Sequence, residues 1–242
     1  MRKIPIIESG EPMVNFMEFC PDLLFDAPRF EYRREQLVRK SVAEKLCAAN
    51  ASLPNGLKFA IIEGWRPPFI QKRMYLAIEA RWRRVHPDWT EARIRRSVNQ
   101  FSAPMDKKAP PPHTTGGAVD LMLAHDDGTL LDHITPYLYR DPKGSITKAP
   151  GLSPVAQKTR DIMEAVLLPT GMTNYPSEFW HWTYGDQGWA YRGRHPHAIY
   201  GPITPDGWEP DPKDVGDHPL KWVANDSFDP GTTLNRPAQN EV

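Results

Sequence analysis

A histidine and an aspartate in the segment HTTGGAVDL have a spacing that suits a metal site. His113 ends a proline-rich loop, and Asp120 lies inside the apolar stretch AVDLML. Imidazole nitrogens and carboxylate oxygens are both good zinc ligands. A carboxylate flanked by Val119 and Leu121 is costly to bury unless a positive charge meets it. The pair predicts part of a zinc site, although alone it fits a surface imidazole and a turn-capping aspartate equally well.

The segment SEFWHW adds a second histidine and an acid. Glu178 and His181 stand beside Phe179, Trp180 and Trp182, and we expect these three aromatic residues to enclose a site and exclude water. With the first pair, His181 makes three protein ligands, which leave a fourth position for water, as in catalytic zinc sites. Water on such a metal has a pKa of about 7. Glu178, near the metal without ligating it, is then the candidate catalytic acid/base.

An arginine in the segment EGWRPP is the third candidate. Arg66 directly follows the apolar stretch LKFAIIE, residues 57–63, which reads as a buried strand. A guanidinium at the end of a rigid element is well positioned to stabilise the oxyanion of a tetrahedral intermediate. The alternative is a structural ion pair with Glu63. Both roles are compatible, since Glu63 can orient Arg66 while Arg66 faces the substrate.

The three segments together identify a family resemblance. GWRP, HTTGGAVD and EFWH, in this order and spacing, resemble the VanX-type D-alanyl-D-alanine dipeptidases and related zinc peptidases over roughly residues 30–192. The resemblance implies one Zn²⁺ ion, an α+β domain of hedgehog/D-Ala-D-Ala-peptidase type with helices around a central antiparallel sheet, and hydrolysis of a short peptide containing D-residues. The resemblance also implies the roles of the site residues. His113, Asp120 and His181 would bind the metal. Glu178 would act as the catalytic acid/base, and Arg66 would stabilise the transition state.

Two departures from the family pattern bear on the substrate. Pro111 and Pro112 precede His113, whereas the family usually has a small polar residue two places before this histidine. The family's dipeptidases also carry, after the hairpin, an acid that receives the substrate's amino group, and here Asp132 and Asp141 are the candidates. If neither reaches the site, D,D- or L,D-carboxypeptidase action on a longer cell-wall peptide becomes the better interpretation.

A different class of function is also compatible with this pattern. Hedgehog-like domains resemble these peptidases, and a zinc-stabilised binding module without activity is therefore an alternative. Glu178 and Arg66 are both present, and loss of either would have favoured the binding module. The sequence accordingly favours an enzyme.

Local patterns predict the elements that position these residues. Val38, Val42 and Leu46 recur every fourth residue, which indicates an amphipathic helix over residues 33–50. A helix beginning near Pro67 and Pro68 and running to Val85 follows the strand at 57–63. A further helix is expected to begin at Asp88 as N-cap, with Glu91 completing a capping box, and 103–112 is a loop.

The second half of the chain predicts more strand. AVDLML, residues 118–123, and the turn at Asp127 and Gly128 predict a hairpin with the segment TLLD. Ser153 caps a helix that runs to Leu168, and residues 179–184 form a strand. The predicted apolar face of that helix contains Val155, Ile162 and Val166. The economical fold is one α+β domain over residues 1–200 with a mainly antiparallel sheet, followed by a proline-rich extension, 201–242, that packs on it or is partly mobile.

The composition of the chain limits which partners and which cellular location we expect. Thirty basic and thirty acidic residues cancel, so no global field gathers nucleic acid or an anionic membrane. No apolar run is long enough to cross a bilayer and no export signal is visible at the N-terminus, so we expect neither a membrane span nor export. Cys20 and Cys47 are too few for a disulfide framework and are expected to be small buried hydrophobes. These features predict a cytoplasmic protein acting on a small peptide, and they leave its oligomeric state open.

Overall fold

The fold was analysed in a computed structural model, which describes residues 4–103, 109–137 and 141–223. Its strands are β1 (Met13–Asn15), β2 (Leu24–Phe25), β3 (Leu37–Arg39), β4 (Leu57–Glu63), β5 (Ala118–His125), β6 (Thr173–Tyr175) and β7 (Glu178–Thr183). Its α-helices are α1 (Phe16–Phe19), α2 (Lys40–Ala51), α3 (Pro68–Val85), α4 (Glu91–Phe101), α5 (Pro142–Ser145), α6 (Pro154–Leu167) and α7 (Gln187–Arg192).

The central sheet has five strands in the order β2-β4-β5-β7-β6. Only the β2–β4 pair is parallel, and the other pairs are antiparallel. The prediction of a mainly antiparallel sheet with helices is therefore confirmed. Asp120 of β5 pairs with His181 of β7 and, on its other side, with Glu63 of β4. Three residues of the predicted site thus lie side by side on the central strands.

Two apolar clusters hold the sheet and helices together. The larger one packs α2 and α6 against the central strands, with Leu46, Phe59 and Trp182 almost fully buried. The smaller one joins α3 and α4 with Phe30 and Leu220. Burial of such side chains stabilises the fold by about 1.5–3 kcal/mol each.

The helix predicted for residues 33–50 is wrong at its start. Leu37–Arg39 is a strand, β3, that pairs antiparallel with β1, and α2 begins at Lys40. Val38 is fully buried in that strand, so its spacing from Val42 and Leu46 imitates a helical period. A pairing with residues more than twenty positions away decides the boundary, and local periodicity does not detect it.

Two further details of the predicted helices are wrong. Thr90, not Asp88, is the N-cap of α4, and its hydroxyl accepts from Arg93 N at 3.4 Å. On α6 the Ser153 cap is confirmed, and Ile162 and Val166 of the predicted apolar face pack against the core, but Val155 is 61% exposed. The fully buried residues of this helix include a cation, and they are Ala156, Thr159, Arg160, Met163 and Leu167.

The predicted hairpin after β5 is present only in part. Gly128 has φ 85° in the turn, and Leu131 N donates to Leu123 O at 3.0 Å. The ladder beyond the turn is otherwise a single bridge between Ala124 and Leu130. The strand predicted at 57–63, by contrast, is found at the same bounds.

The segment 201–223 contacts the rest of the structure. Trp222 forms a bridge with Phe30, and Leu220 is buried. Arg73 of α3 donates to the carbonyl oxygens of Asp214 and His218. The remainder of the predicted extension, 224–242, lies outside the described residues.

The two cysteines lie close to each other. Cys20 is buried and Cys47 is half-buried, and both are free thiols. Burial, together with a hydrogen bond to Cys47, raises the pKa of Cys20 to about 12. Its thiol is therefore protonated at neutral pH and a poor nucleophile.

None of the helices in the described ranges combines the length and apolar character needed to cross a membrane.

Candidate metal centre

A short helix and two strands bring three candidate ligands together. His113 lies in a 3₁₀ helix, Pro112–Thr115, that Gly116 ends in the left-handed conformation at φ 70°. L side chains rarely adopt this backbone conformation, so the turn favours glycine at this position. The chain then enters β5, which carries Asp120 opposite His181 in β7.

The ligand atoms are close enough for one ion. His181 Nδ1 lies 2.8 Å from Asp120 Oδ1, and His113 Nε2 lies 3.3 Å from Asp120 Oδ2. One ligand atom from each residue can be chosen so that all lie within 4.8 Å of one another. Zinc bonds of about 2.0–2.2 Å require ligand atoms at most about 4 Å apart. A small adjustment of side chains therefore accommodates the ion.

The tautomer of His113 supports a cation at this position. His113 Nδ1 lies 2.8 Å from the carbonyl oxygen of Gly64, and because a carbonyl only accepts, Nδ1 carries the proton. Nε2 then faces Asp120 Oδ2 at 3.3 Å, and either a second ring proton or a metal cation between these two atoms satisfies both. Orientation of a metal-binding histidine by a backbone carbonyl is a common outer-shell arrangement.

The electrostatics favour the protonation states that ligands need. Burial by itself would raise the pKa of Asp120, but His113 and His181 together hold it well below its usual value. Burial lowers the pKa of His181 more than the hydrogen bond to Asp120 raises it. An ionised carboxylate and a neutral imidazole are the forms that bind a metal.

Arg66 is buried and held from two sides. Its guanidinium donates to Glu63 Oε2 at 3.2 Å and to Gln71 Oε1 at 2.7 Å. The Tyr32 hydroxyl also donates to Glu63, and the Gln71 amide donates to Ser102 Oγ at 3.0 Å. Burial lowers the pKa of Arg66, but the charge of Glu63 and other neighbours raises it above its ordinary value. Arg66 therefore has both the ion pair with Glu63 and a place in the cavity wall.

All five residues singled out in the sequence line one cavity of about 270 Å³. These residues are Arg66, His113, Asp120, Glu178 and His181. Of the three aromatic residues expected to enclose the site, Trp180 lines the cavity, whereas Phe179 and Trp182 are buried in the core. Strand β7 thus divides its aromatic residues between site and core. Sequence reasoning missed several polar lining residues, namely Tyr32, Gln71, Tyr175, Asp186, Gln187 and Arg192.

Neither candidate acid after the hairpin is among the described residues that line the cavity. Both oxygens of Asp132 are engaged locally, because they accept from Ile134 N, Thr135 N and Ser153 Oγ. Asp141 caps α5 and accepts from Lys143 N at 2.8 Å. These acids stabilise turns and helix starts. Asp132 and Asp141 are therefore wrong as candidates for the amino-group site, so dipeptidase action requires a different acid in the cavity, and without one carboxypeptidase action is the better interpretation.

The sequence of the chain is similar to those of known proteins. The sequence profile of the family described as D-ala-D-ala dipeptidase matches residues 28–200. A D-alanyl-D-alanine dipeptidase of Synechocystis sp. is 25% identical over 235 residues, covering 83% of this chain and 95% of the relative. The matched range contains Arg66, Glu178 and the three candidate ligands.

Proposed function

The chain belongs to the D-Ala-D-Ala dipeptidase family and is a peptidase, and from this premise we propose that it hydrolyses a D-Ala-D-Ala-type dipeptide with one zinc ion. His113, Asp120 and His181 would hold the ion. The observation that carries this proposal is the convergence of their ligand atoms, which lie within 4.8 Å of one another, with His113 Nε2 oriented toward Asp120 Oδ2 at 3.3 Å.

The donor set suits zinc in a catalytic role. Two imidazoles and one carboxylate leave a fourth coordination position, and the bound ion would supply Lewis acidity and an acidified water. Asp120 and His181 sit on adjacent strands in register, so the sheet fixes their separation before any metal binds. A preorganised set of ligands loses little conformational entropy on binding.

Glu178 is the proposed acid/base. It begins β7, three residues before His181, and lies in the cavity wall. From this position its carboxylate takes a proton from the attacking water and delivers it to the leaving amine. A positioned acid/base contributes about 10²–10⁴-fold to the rate.

Arg66 is the proposed partner of the oxyanion. Glu63 and Gln71 hold two of its nitrogens, while its buried Nε has no hydrogen-bond partner among the described residues. Nε is therefore a donor that the described residues do not use, and such a donor stabilises charge most strongly where water is excluded. Because its orientation is set before the substrate arrives, little reorganisation is needed during the reaction.

An activity panel tests the proposal. The zinc-loaded protein is assayed with D,D-, L,D- and L,L-dipeptides, with and without a chelator, and release of free amino acids is measured. We expect hydrolysis of D-Ala-D-Ala that a chelator abolishes and added zinc restores. Activity that resists complete metal removal contradicts a zinc mechanism, and silence across the whole panel favours the binding module instead.

A further inference from the structure

Three side chains that line the cavity each have one buried oxygen atom without a hydrogen-bond partner among the described residues. Glu63 Oε1 belongs to the carboxylate that pairs with Arg66, and the other two atoms, Asp186 Oδ2 and Gln187 Oε1, come from adjacent residues. Asp186 is only 2% exposed. A buried carboxylate oxygen without a donor costs free energy, and such atoms in a folded protein call for an explanation. Asp186 Oδ2 and Gln187 Oε1 are both acceptors, so a ligand group rich in N–H donors suits this end of the cavity.

Local contacts fix these two atoms in place. Asp186 is the N-cap of α7, and its Oδ1 accepts from Trp189 N at 2.6 Å, which leaves Oδ2 as the unpartnered oxygen. The amide nitrogen of Gln187 donates to Ile4 O at 2.6 Å. Because a carbonyl only accepts, the amide orientation is determined and Oε1 is the unpartnered atom. The pair is preorganised and does not depend on a flexible side chain.

Arg192 is the cation nearest in sequence, but hydroxyl groups hold it. Its Nε and one terminal nitrogen donate to Thr173 Oγ1 at 3.1 Å and Thr183 Oγ1 at 2.6 Å. In the described part of the chain, Asp186 has no ion pair within 4.0 Å. Arg192 therefore shares this end of the cavity without neutralising Asp186 by direct contact. The competing interpretation is that Asp186 serves only as a helix cap and a distant counter-charge to Arg192.

This end of the cavity lies beside the candidate metal centre. Thr183 and His181 are on the same strand, and the chain reaches Asp186 after a short turn. In a dipeptide, only the α-carbon separates the N-terminal nitrogen from the scissile carbonyl carbon. The acceptor of that ammonium must therefore lie in the cavity that holds the candidate ligands. Asp186 lines this cavity, whereas Asp132 and Asp141 are not among the described residues that line it.

We propose that Asp186, assisted by the Gln187 carbonyl oxygen, binds the N-terminal ammonium group of the substrate. The inference rests on the proposed function and makes it more specific, because a site for a free ammonium selects dipeptides over the ends of longer peptides. A carboxylate with an unpaired oxygen supplies the charge, and the neutral amide supplies a second acceptor. Asp186 is thus a specificity-determining residue of the peptidase.

The test compares free and N-blocked substrates. Asp186→Asn keeps an oxygen to cap α7 and removes the charge, while Asp141→Asn makes the same change in an acid outside the cavity. We measure kcat/KM for D-Ala-D-Ala and N-acetyl-D-Ala-D-Ala in zinc-loaded wild type and both variants. Loss of a charged hydrogen bond predicts a fall of about 10- to 100-fold for the free dipeptide in Asp186→Asn, mainly through KM. Its preference for the free over the blocked dipeptide falls by the same factor and its zinc content is retained, while Asp141→Asn keeps the wild-type preference.

Three results would overturn the inference. They are equal cleavage of both substrates by wild type, an unaltered preference in Asp186→Asn, and the same loss in Asp141→Asn. If Asp186→Asn fails to fold, Asp186→Ser replaces it, since serine also caps helices.

A binding measurement separates this inference from the proposed function. Calorimetry with zinc-loaded Glu178→Ala measures affinity for the same two dipeptides, with and without Asp186→Asn. Preference for the free dipeptide that disappears with Asp186→Asn supports the ammonium site even if wild type shows no turnover. Equal affinities overturn the ammonium site even if wild type is active.

Discussion

At the scale of single residues, one hydrogen bond holds the ring of His113 in an orientation that suits metal binding. Gly64 O accepts from Nδ1 at 2.8 Å, and this contact directs Nε2 to Asp120. A hydrogen bond to a fixed carbonyl selects the tautomer and limits ring rotation. The ligand is thus preformed by backbone that belongs to the segment following β4.

His113→Ala tests the ligand assignment. We expect wild type to bind about one zinc ion per chain, and the variant to bind at least about 100-fold more weakly, since changes even to outer-shell partners cost 10- to 100-fold. Elemental analysis after dialysis and competition with a chelating dye measure the difference. His125→Ala, in an exposed histidine at the end of β5, is the matched control. Unchanged zinc content in His113→Ala would rule out this ligand.

Glu178→Ala separates catalysis from metal binding. Because Glu178 is proposed to move protons and not to ligate, the variant should retain stoichiometric zinc while kcat falls by about 10²–10⁴-fold. Glu31→Ala, at an exposed glutamate, controls for the loss of a negative charge. Normal dipeptide turnover by Glu178→Ala would show that another group is the base, and loss of zinc would make Glu178 a ligand.

At the scale of elements, strand register decides which side chains face the cavity. Ile61 pairs with Leu121 while Glu63 pairs with Asp120, so the ladder shifts between these two pairs. A bulge of this kind places one extra residue on one strand and re-aims the side chains that follow. It sets Glu63, the partner of Arg66, beside the candidate metal ligand Asp120. A slip of one residue would turn these acids to the opposite face.

Gly64→Ala tests how the segment after β4 supports the site. A Cβ at Gly64 would lie 2.7 Å from the backbone oxygen of Leu37, so the chain must shift. Because Gly64 O also orients His113, we expect both weaker zinc binding and a loss of about 1–3 kcal/mol in unfolding free energy. Urea denaturation and zinc competition measure the two effects.

Gly201→Ala is the matched control, since its new Cβ would meet its nearest neighbour at 3.4 Å, an ordinary contact. Equal stability and equal zinc affinity of Gly64→Ala and wild type would contradict the close approach of these segments.

At the scale of the whole molecule, buried arginines connect segments that are distant in sequence. Arg39, 1% exposed, donates to Thr115 O at 2.9 Å and to Glu11 O at 2.6 Å. It also donates to Gly201 O at 3.4 Å. One side chain therefore joins the N-terminal segment, the loop that carries His113 and the chain that follows α7. Hydrogen bonds to a charged group contribute about 1.5–3 kcal/mol each before desolvation is subtracted.

Arg39→Met should destabilise the protein, including the loop that carries His113. Because several carbonyls would lose their buried donor, we expect a loss of about 3–5 kcal/mol in unfolding free energy, measured by urea denaturation. Arg84→Met, at an exposed arginine of α3, should change stability by at most about 0.5 kcal/mol. A similar small change in Arg39→Met would show that these contacts are energetically neutral.

The sequence by itself determined the chemistry of the candidate site and the segments that carry it. Few residue types ligate zinc, and an acid such as Asp120 inside an apolar strand requires a positive partner. Local signals also sufficed for β4, whose unbroken apolar run is found at its predicted bounds, and for the Ser153 cap of α6. These features depend on neighbours within a few positions, so they can be recognised from the order of residues.

Only the tertiary structure decided which atoms face one another. The start of α2 depends on the distant pairing of β1 with β3, and Asp132 is engaged by turn amides that no periodicity reveals. Asp186 was not singled out in the sequence, and only the folded structure shows that it caps α7 with one oxygen and buries the other without a donor. The physical reason is that hydrogen-bond satisfaction and burial are properties of packed neighbours, which the fold brings together from across the chain.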